Sequence, residues 1–426
     1  MEKGQHMLQS IERLTVLLVT LGLCLGAGAA PNHPQSLAGA QGEVEVVEAP
    51  PAGAEARSQG RGRPCGVRLP TPATQEALSA SGPYGFATRD FVFVDESRPT
   101  PPNGPYPGAP TRTLRVRVWY PVCAPLEASP PPATRVPVAS GGPFPLLAYA
   151  HGLTSRGEPV RFVAEHMATH GYITVAPRFP LTAGDAPGGP TIADVPNQPG
   201  DLDFVMRQVA QLRGEDADLA AAVDPRRRGV YGLSAGGLTV LIAAYHPLLK
   251  IDIQAAVAYA PVSCFLGPAF FGRSLPTLLV AGTADELVPP EGPEQVFEMA
   301  PPPVTLVKLL GGTHSGFMNR EQPYVENTDT RECALLLSAD PTRGQTAFEE
   351  AITRGVGPDA INFAGCPLLC GERFRQTMGA TRQLRLTRAA TLAHFEATLR
   401  GRWDARLFLS LLLDRNNPDV EVRVKR

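Results

Sequence analysis

Apolar residues recur along the chain with two different periods, and the change between them divides the sequence. Segments 86–95 and 112–121 alternate apolar and polar residues, as strands with one exposed face do. From Phe144 onward, short runs of consecutive apolar residues alternate with stretches of helical spacing. Such runs are typical of strands buried on both faces. The alternation therefore predicts an α/β fold with a mostly parallel central sheet and helices on both faces.

The positions of these elements follow from the same pattern. The predicted buried strands are 144–152, 172–177, a short run ending at 230–233, 255–261, 277–283 and 304–312. The predicted helices are 159–169, 202–212, the run that follows Ser234, and 379–413. Residues 320–376 interrupt this rhythm with three cysteines, several prolines and no clear period. A stretch of that length inside a folded domain predicts an inserted cap.

The first residues have the pattern of an export signal. The run 14–30 is apolar and ends in small residues, with Ala27-Gly28-Ala29 as a cleavage site. We predict a signal peptide at 1–29, an exported protein (periplasmic or secreted), and no stable membrane span in the mature chain. An uncleaved anchor and a lipoprotein formed at Cys24 are the alternatives. Residues 30–64 are rich in Pro, Gly and Ala and predict a disordered tether.

Six cysteines remain after the predicted cleavage, and an even number in an exported chain suggests disulfides. They are Cys65, Cys123, Cys264, Cys333, Cys366 and Cys370. Three of them lie in the insertion, so one must pair outside it. We expect that partner to be Cys264, which follows a predicted strand, and we expect Cys65 to pair with Cys123.

Composition excludes several function classes. The net charge is -2, and the arginines are scattered without a basic, aromatic-rich face, so nucleic-acid binding is not expected. The cysteines lack the spacing of a structural zinc site. His166 and His170 are four residues apart but lack the arrangement of a zinc-protease helix. We expect no metal and no organic cofactor, and the oligomeric state is left open.

Three residues in predicted loops suggest nucleophilic catalysis. Ser234 lies in Gly232-Leu233-Ser234-Ala235-Gly236, which fits the G-x-S-x-G turn that exposes a serine between a strand and a helix. Asp285 follows the predicted strand 277–283, and His314 follows the predicted strand 304–312. A serine hydroxyl needs a base, and the base needs an orienting carboxylate. The order Ser234, Asp285, His314 therefore predicts a catalytic triad, with Glu286 as the alternative acid.

Two further features complete the predicted site. His151-Gly152 ends a central strand, so the N–H groups of Leu153 and Ala235 are the expected oxyanion hole. A bridge from Cys264 would hold the insertion over the cleft and against an apolar cluster. Within this cluster, we expect substrate to contact Phe265, Phe270 and Phe271. A covered apolar acyl site would favour short to medium acyl chains.

These segments resemble the α/β-hydrolase superfamily, in particular exported esterases grouped with dienelactone hydrolases, platelet-activating-factor acetylhydrolases and polyester hydrolases. The resemblance rests on "LRVRVWYP", "AYAHGLTS", "VAPRFPLT", "QPGDLDFV", "GLSAGG", "AGTADELVPP" and "GGTHSGF". It implies an α/β-hydrolase domain over 65–426, with Ser234, Asp285 and His314 as nucleophile, acid and base. Dienelactone hydrolases use a cysteine nucleophile, which is serine here, and the 320–376 insertion is outside the superfamily core.

The sequence thus predicts a secreted serine carboxylic-ester hydrolase that acts on a small-molecule ester through an acyl-enzyme. A serine peptidase of the prolyl-oligopeptidase type would use the same residues, but it usually needs a large access domain. A non-catalytic binding protein on a hydrolase scaffold is the third possibility, and it normally goes with a damaged triad. The acyl group, the alcohol and the physiological substrate are not determined by the sequence.

Overall fold

A computed structural model describes residues 72–123, 135–155, 161–318, 329–338, 340, 342–371 and 375–426. The predicted signal peptide at 1–29 and tether at 30–64 lie outside these residues, as do Cys24 and Cys65. All described residues fall within the unit Arg61–Arg426. In this part of the chain, no helix combines the length and the apolarity that a membrane crossing needs.

The described residues form one nine-stranded sheet in the order β1-β2-β4-β3-β5-β6-β7-β8-β9. The strands are β1 Gly85–Asp95, β2 Arg112–Val122, β3 Phe144–Ala150, β4 Ile173–Arg178, β5 Val223–Leu233, β6 Ala255–Tyr259, β7 Thr277–Gly282, β8 Val304–Leu309 and β9 Val420–Lys425. Strands β4, β3, β5, β6, β7 and β8 pair in parallel. The pairs β1–β2, β2–β4 and β8–β9 are antiparallel. The predicted mostly parallel sheet is confirmed.

Helices cover both faces of the sheet, as expected. They are α1 Gln75–Ser79, α2 Arg161–Thr169, α3 Gln198–Ala210, α4 Ala217–Ala221, α5 Ala235–Tyr245, α6 Glu291–Met299, α7 Asp329–Ser338, α8 Gln345–Thr353, α9 Ala380–Leu399 and α10 Trp403–Leu407. Helices α3 and α5 pack in one apolar core, and α2 and α9 pack in the other. Successive side chains of β5 point to opposite faces of the sheet, so Val230 packs in the first core and Tyr231 packs in the second.

Two elements differ from the pattern in the sequence. The predicted helix 379–413 is interrupted after Leu399, and Gly401 there has a φ of 69°, a left-handed conformation that ends a helix. Helix α10 and a π-helical turn, Phe408–Leu412, follow. Strand β9 was not predicted, although Val420, Val422 and Val424 alternate with polar residues. It pairs with β8 and closes that edge of the sheet.

The insertion joins the loop after β8 to helix α9. Its described part contains α7, α8 and a short 3₁₀ turn, Pro358–Ala360. Disulfides join Cys264 to Cys366 and Cys333 to Cys370. The expectation that Cys264 ties the insertion to the core is confirmed. Cys123 is disulfide-bonded, and the predicted Cys65–Cys123 pairing involves Cys65, outside the described residues. Disulfides are typical of an oxidising, extracellular or periplasmic compartment.

Candidate active site

Ser234 occupies a strained turn between β5 and α5. Its φ of 61° and ψ of -122° are unusual for a residue with a side chain. The flanking glycines make this turn possible: a Cβ on Gly236 would collide with the carbonyl oxygen of Ala150, and one on Gly232 would collide with that of Gly236. The sequence pattern G-x-S-x-G is therefore a requirement of backbone packing at this position.

Backbone strain is concentrated at the carboxyl ends of the central strands. Thr154, Ser234 and Ala260 all have positive φ and follow the adjacent strands β3, β5 and β6. The backbone N–H of Ser234 donates to the carbonyl of Tyr259 at 3.0 Å, which holds the turn against the end of β6. Strain of about 1–3 kcal/mol per residue persists only where surrounding contacts enforce it, and such residues are frequent at active sites.

Asp285 and His314 lie in the loops after β7 and β8, which are parallel neighbours in the sheet. Nδ1 of His314 lies 2.8 Å from Oδ2 of Asp285, and both side chains are buried. The other carboxylate oxygen of Asp285 accepts a hydrogen bond from the backbone N–H of Val288 at 2.7 Å. Between the two carboxylates considered from the sequence, the one that contacts the imidazole is Asp285.

Ser234 is half-buried, and its hydroxyl makes no hydrogen bond to His314 among the described contacts. Bonds of this kind are often long in a free enzyme and shorten when substrate binds. Burial acts on both members of the Asp285–His314 pair. It raises the pKa of Asp285, against the lowering effect of His314. It lowers the pKa of His314, but Asp285, Asp329 and Glu332 outweigh it and raise that pKa above 6.5.

The loop after β3 lies against the turn at Ser234. A Cβ built on Gly152 would lie 3.4 Å from Cβ of Ser234 and 3.9 Å from its Oγ. The backbone N–H groups of Leu153 and Ala235 donate to no described residue. They are the two groups expected to stabilise an oxyanion. Leu153 lies in the loop after β3, next to Gly152, and Ala235 directly follows Ser234.

The ring of His151 fixes the conformation of this loop, a role that the sequence did not indicate. Nε2 accepts a hydrogen bond from the backbone N–H of Phe179 at 3.0 Å, so Nδ1 carries the proton and donates to the carbonyl of Gly152 at 2.8 Å. Burial lowers the pKa of His151 to about 4. The neutral ring therefore holds the Gly152 carbonyl, and the N–H of Leu153 on the same peptide points in the opposite direction.

The aromatic residues expected to contact substrate pack in the first core. Phe265 stacks on Phe363 at 4.7 Å between ring centroids and meets Phe348 edge-on at 5.7 Å. Phe270 has no exposed surface and contacts His246, while Phe271 is half-buried. The cluster thus joins the insertion to the end of β6, and its contact with substrate stays a prediction.

Comparisons with known proteins agree with this architecture. No family model matches the chain. It is 24% identical over 198 residues to a protein of Methylorubrum extorquens named "Putative carboxymethylenebutenolidase", covering 45% of this chain and 59% of that protein. The chain thus spans less than two thirds of that relative. A solved ferulic acid esterase from Streptomyces cinnamoneus superposes with a TM-score of 0.50 and 22% identity, over 80% of this chain and 96% of that one. The chain has the α/β-hydrolase fold.

In an α/β-hydrolase fold, ligands bind in the crevice at the carboxyl ends of the strands, and Ser234, Asp285 and His314 all lie at that edge. A cavity of about 370 Å³ is lined by residues of β1, β2, β4 and α2 and extends to His151 and Ser155 in the loop after β3. Trp119, Tyr149 and Arg178 line it, and none of Ser234, Asp285 and His314 does. The geometry of the strand ends, not this cavity, marks the candidate site. Within the described residues, no three His, Cys, Asp or Glu side chains are grouped as metal ligands.

Proposed function

We propose that the protein is a serine carboxylic-ester hydrolase that acts through an acyl-enzyme. The observation that carries the proposal is the buried 2.8 Å contact between His314 and Asp285, at the same edge of the sheet as the strained Ser234. The likeness to an esterase structure and to a carboxymethylenebutenolidase sequence supports the same class of chemistry. A non-catalytic binding protein would have no need to retain this strain and this pair.

In the proposed first half-reaction, Oγ of Ser234 attacks the ester carbonyl while His314 removes the hydroxyl proton. Nδ1–H of His314 donates to Asp285, so Nε2 is the nitrogen that accepts this proton. The carbonyl oxygen becomes an oxyanion, for which Leu153 and Ala235 offer backbone N–H groups. The tetrahedral intermediate then collapses, and the leaving alcohol takes the proton from His314.

In the second half-reaction, water attacks the acyl group on Ser234 with His314 again as the base. Release of the acid restores the Ser234 hydroxyl. Both steps place negative charge on the same carbonyl oxygen, so one pair of N–H donors serves both. Each such donor contributes about 10²–10³-fold in rate when it is correctly placed.

We also propose that the protein is exported after cleavage at 27–29. The disulfides Cys264–Cys366 and Cys333–Cys370 support an oxidising destination. Amino-terminal sequencing of the mature protein tests this step. A mature chain that begins at Cys24 would indicate the lipoprotein instead, and a chain that keeps residues 1–29 would indicate an uncleaved anchor.

Replacement of the nucleophile tests the proposed chemistry. Ser234→Ala should lower kcat for a p-nitrophenyl ester by about 10⁶-fold and abolish labelling by a fluorophosphonate. Ser274→Ala is the matched control, because Ser274 is exposed and precedes the amino end of β7, at the edge of the sheet opposite the proposed site. Labelling that survives in Ser234→Ala would contradict the proposal. A p-nitroanilide peptide panel distinguishes the peptidase alternative, which predicts faster cleavage of peptides than of esters.

A further inference from the structure

Asp329, the first residue of α7, contacts both loops of the proposed acid–base pair. Its Oδ2 accepts hydrogen bonds from the backbone N–H of His314 at 2.8 Å and of Glu286 at 3.2 Å. Its Oδ1 accepts one from the N–H of Ser315 at 2.8 Å. The residue is only 1% exposed. A buried carboxylate of the insertion thus bridges the residue that follows Asp285 and the backbone of His314 itself.

A second set of contacts holds the acid loop from the same helix. Cys333 lies one helical turn after Asp329, so both side chains project from one face of α7. Cys333 is bonded to Cys370, whose backbone N–H donates to the carbonyl of Glu286 at 2.7 Å. Both the N–H and the C=O of Glu286 are therefore bound by residues of the insertion.

The packing around this disulfide reaches the acid itself. Leu287 and Val288 form a small apolar cluster with Cys333, and the N–H of Val288 donates to Asp285. The three residues that follow Asp285 are thus held by α7 and its disulfide. In the part of the chain that the structure describes, the insertion makes these contacts to the loops while Ser234 keeps an accessible surface.

We propose that Asp329 is a positioning residue that sets the relation between the acid loop and the base loop, so the insertion belongs to the catalytic apparatus. The inference rests on the proposed function. It is distinct from a covering role, because the bonds go to the backbone of the catalytic loops. Displacement of reacting groups by about 1 Å costs on the order of 10²-fold in rate.

The charge of Asp329 adds a property that geometry alone would not supply. Three carboxylates, those of Asp285, Asp329 and Glu332, favour the protonated form of His314 against the effect of burial. Loss of the Asp329 charge should therefore lower the pKa of His314. A carboxylate that stabilised the fold from a distance would change the melting temperature without moving the pH profile.

The test compares Asp329→Asn, Asp329→Glu and the wild type. Asp329→Asn loses the negative charge and keeps only one acceptor oxygen. Its N–H₂ group replaces the other oxygen and faces a backbone N–H, which cannot accept a hydrogen bond. We expect kcat to fall by about 10- to 100-fold with KM within about twofold, and the acid limb of kcat/KM to move to lower pH. Asp329→Glu keeps the charge, so its midpoint should stay nearer to that of the wild type. Asp359→Asn is the control, since Asp359 is an exposed carboxylate of the same insertion.

The outcomes separate this inference from the proposed function. A wild type that neither hydrolyses esters nor reacts with a fluorophosphonate would overturn the proposed function. An active wild type whose Asp329→Asn variant keeps the same kcat and the same midpoint would overturn the role of Asp329 alone. A lower melting temperature with unchanged kcat and midpoint would also overturn it.

Hydrogen exchange on the wild-type protein tests the same contacts without a variant, in case Asp329→Asn does not fold. The amides of Glu286, His314 and Ser315 should exchange slowly, because each donates to the buried carboxylate. The amide of Leu153, which donates to no described residue, is the internal reference for fast exchange. Exchange of the first three as fast as that of Leu153 would overturn the inference.

Discussion

Two histidines at the strand ends have opposite pKa shifts, and the surroundings of each ring explain the difference. His314 faces the carboxylates of Asp285, Asp329 and Glu332, which outweigh burial and raise its pKa. His151 is equally buried but donates only to a backbone carbonyl, and burial lowers its pKa to about 4. At neutral pH the first ring can gain a proton during turnover, while the second stays neutral and holds the loop at Gly152.

The raised pKa of His314 gives a signed prediction for the pH profile. Only the neutral ring accepts a proton, so activity is lost as pH falls through this pKa and regained as pH rises. We expect the midpoint of the acid limb of kcat/KM to lie above 6.5. A fluorophosphonate labelling rate measured against pH should give the same midpoint, and a midpoint below 6.5 would contradict the assignment.

Replacement of Asp285 should change both the rate and the profile. Asp285→Asn removes a charge that favours protonated His314 and allows the wrong tautomer, so kcat should fall by about 10⁴-fold and the midpoint should move to lower pH. Glu286→Gln is the matched control, because the carboxylate that contacts His314 is that of Asp285. If kcat fell in Glu286→Gln and not in Asp285→Asn, the acid would have to be Glu286.

At the scale of elements, the turn between β5 and α5 depends on how closely it approaches the end of β3. The Cβ positions of Gly232 and Gly236 are filled by carbonyl oxygens of the backbone, which cannot move without displacing a strand or a helix. The sheet therefore brings three chain segments into contact at Ser234, the proposed nucleophile. This contact is the reason why the glycines, and not the serine alone, identify the turn.

A single methyl group tests this packing. Gly236→Ala should destabilise the protein by about 1–3 kcal/mol and lower kcat by about 10²-fold or more, since the carbonyl of Ala150 occupies the space. Gly200→Ala in α3 is the control, because the atoms nearest to the added methyl group belong to the Arg98 side chain and not to the backbone. Thermal unfolding and ester hydrolysis measure the two effects, and wild-type behaviour of Gly236→Ala would contradict the packing argument.

At the scale of the whole molecule, two disulfides tie the insertion to the sheet and to itself. Cys264–Cys366 closes a separation of 102 residues and Cys333–Cys370 one of 37. Loop-closure entropy alone would give each about 4–5 kcal/mol of stabilisation. The first bridge fixes the insertion beside Phe265, and the second fixes it beside the acid loop.

Removal of each bridge should therefore have a different effect. The double variant Cys264→Ala/Cys366→Ala should lower the melting temperature more than it lowers kcat. The double variant Cys333→Ala/Cys370→Ala should lower both, because its disulfide packs on Leu287 and Val288 next to Asp285. Thermal unfolding and kcat for one ester provide the comparison. Equal loss of kcat in the two variants would contradict a specific role for the second bridge.

The sequence by itself determined the features that depend on neighbouring residues. The period of apolar residues identified eight of the nine strands among the described residues, and the glycines around Ser234 identified the strained turn. The chain order of Ser234, Asp285 and His314 followed from the strand ends. These signals are local, because strand burial and turn conformation are imposed within a few residues.

Only the tertiary structure decided the features that depend on distant residues. It selected Asp285 over Glu286 as the partner of His314, chose Cys366 as the partner of Cys264, and brought Asp329 to the backbone of His314. It also packed Phe270 against His246 in the first core. An aspartate at a helix start or a phenylalanine in an apolar run has many possible partners. Which partner it meets is set by the packing of the insertion against the sheet, and no local pattern records that packing.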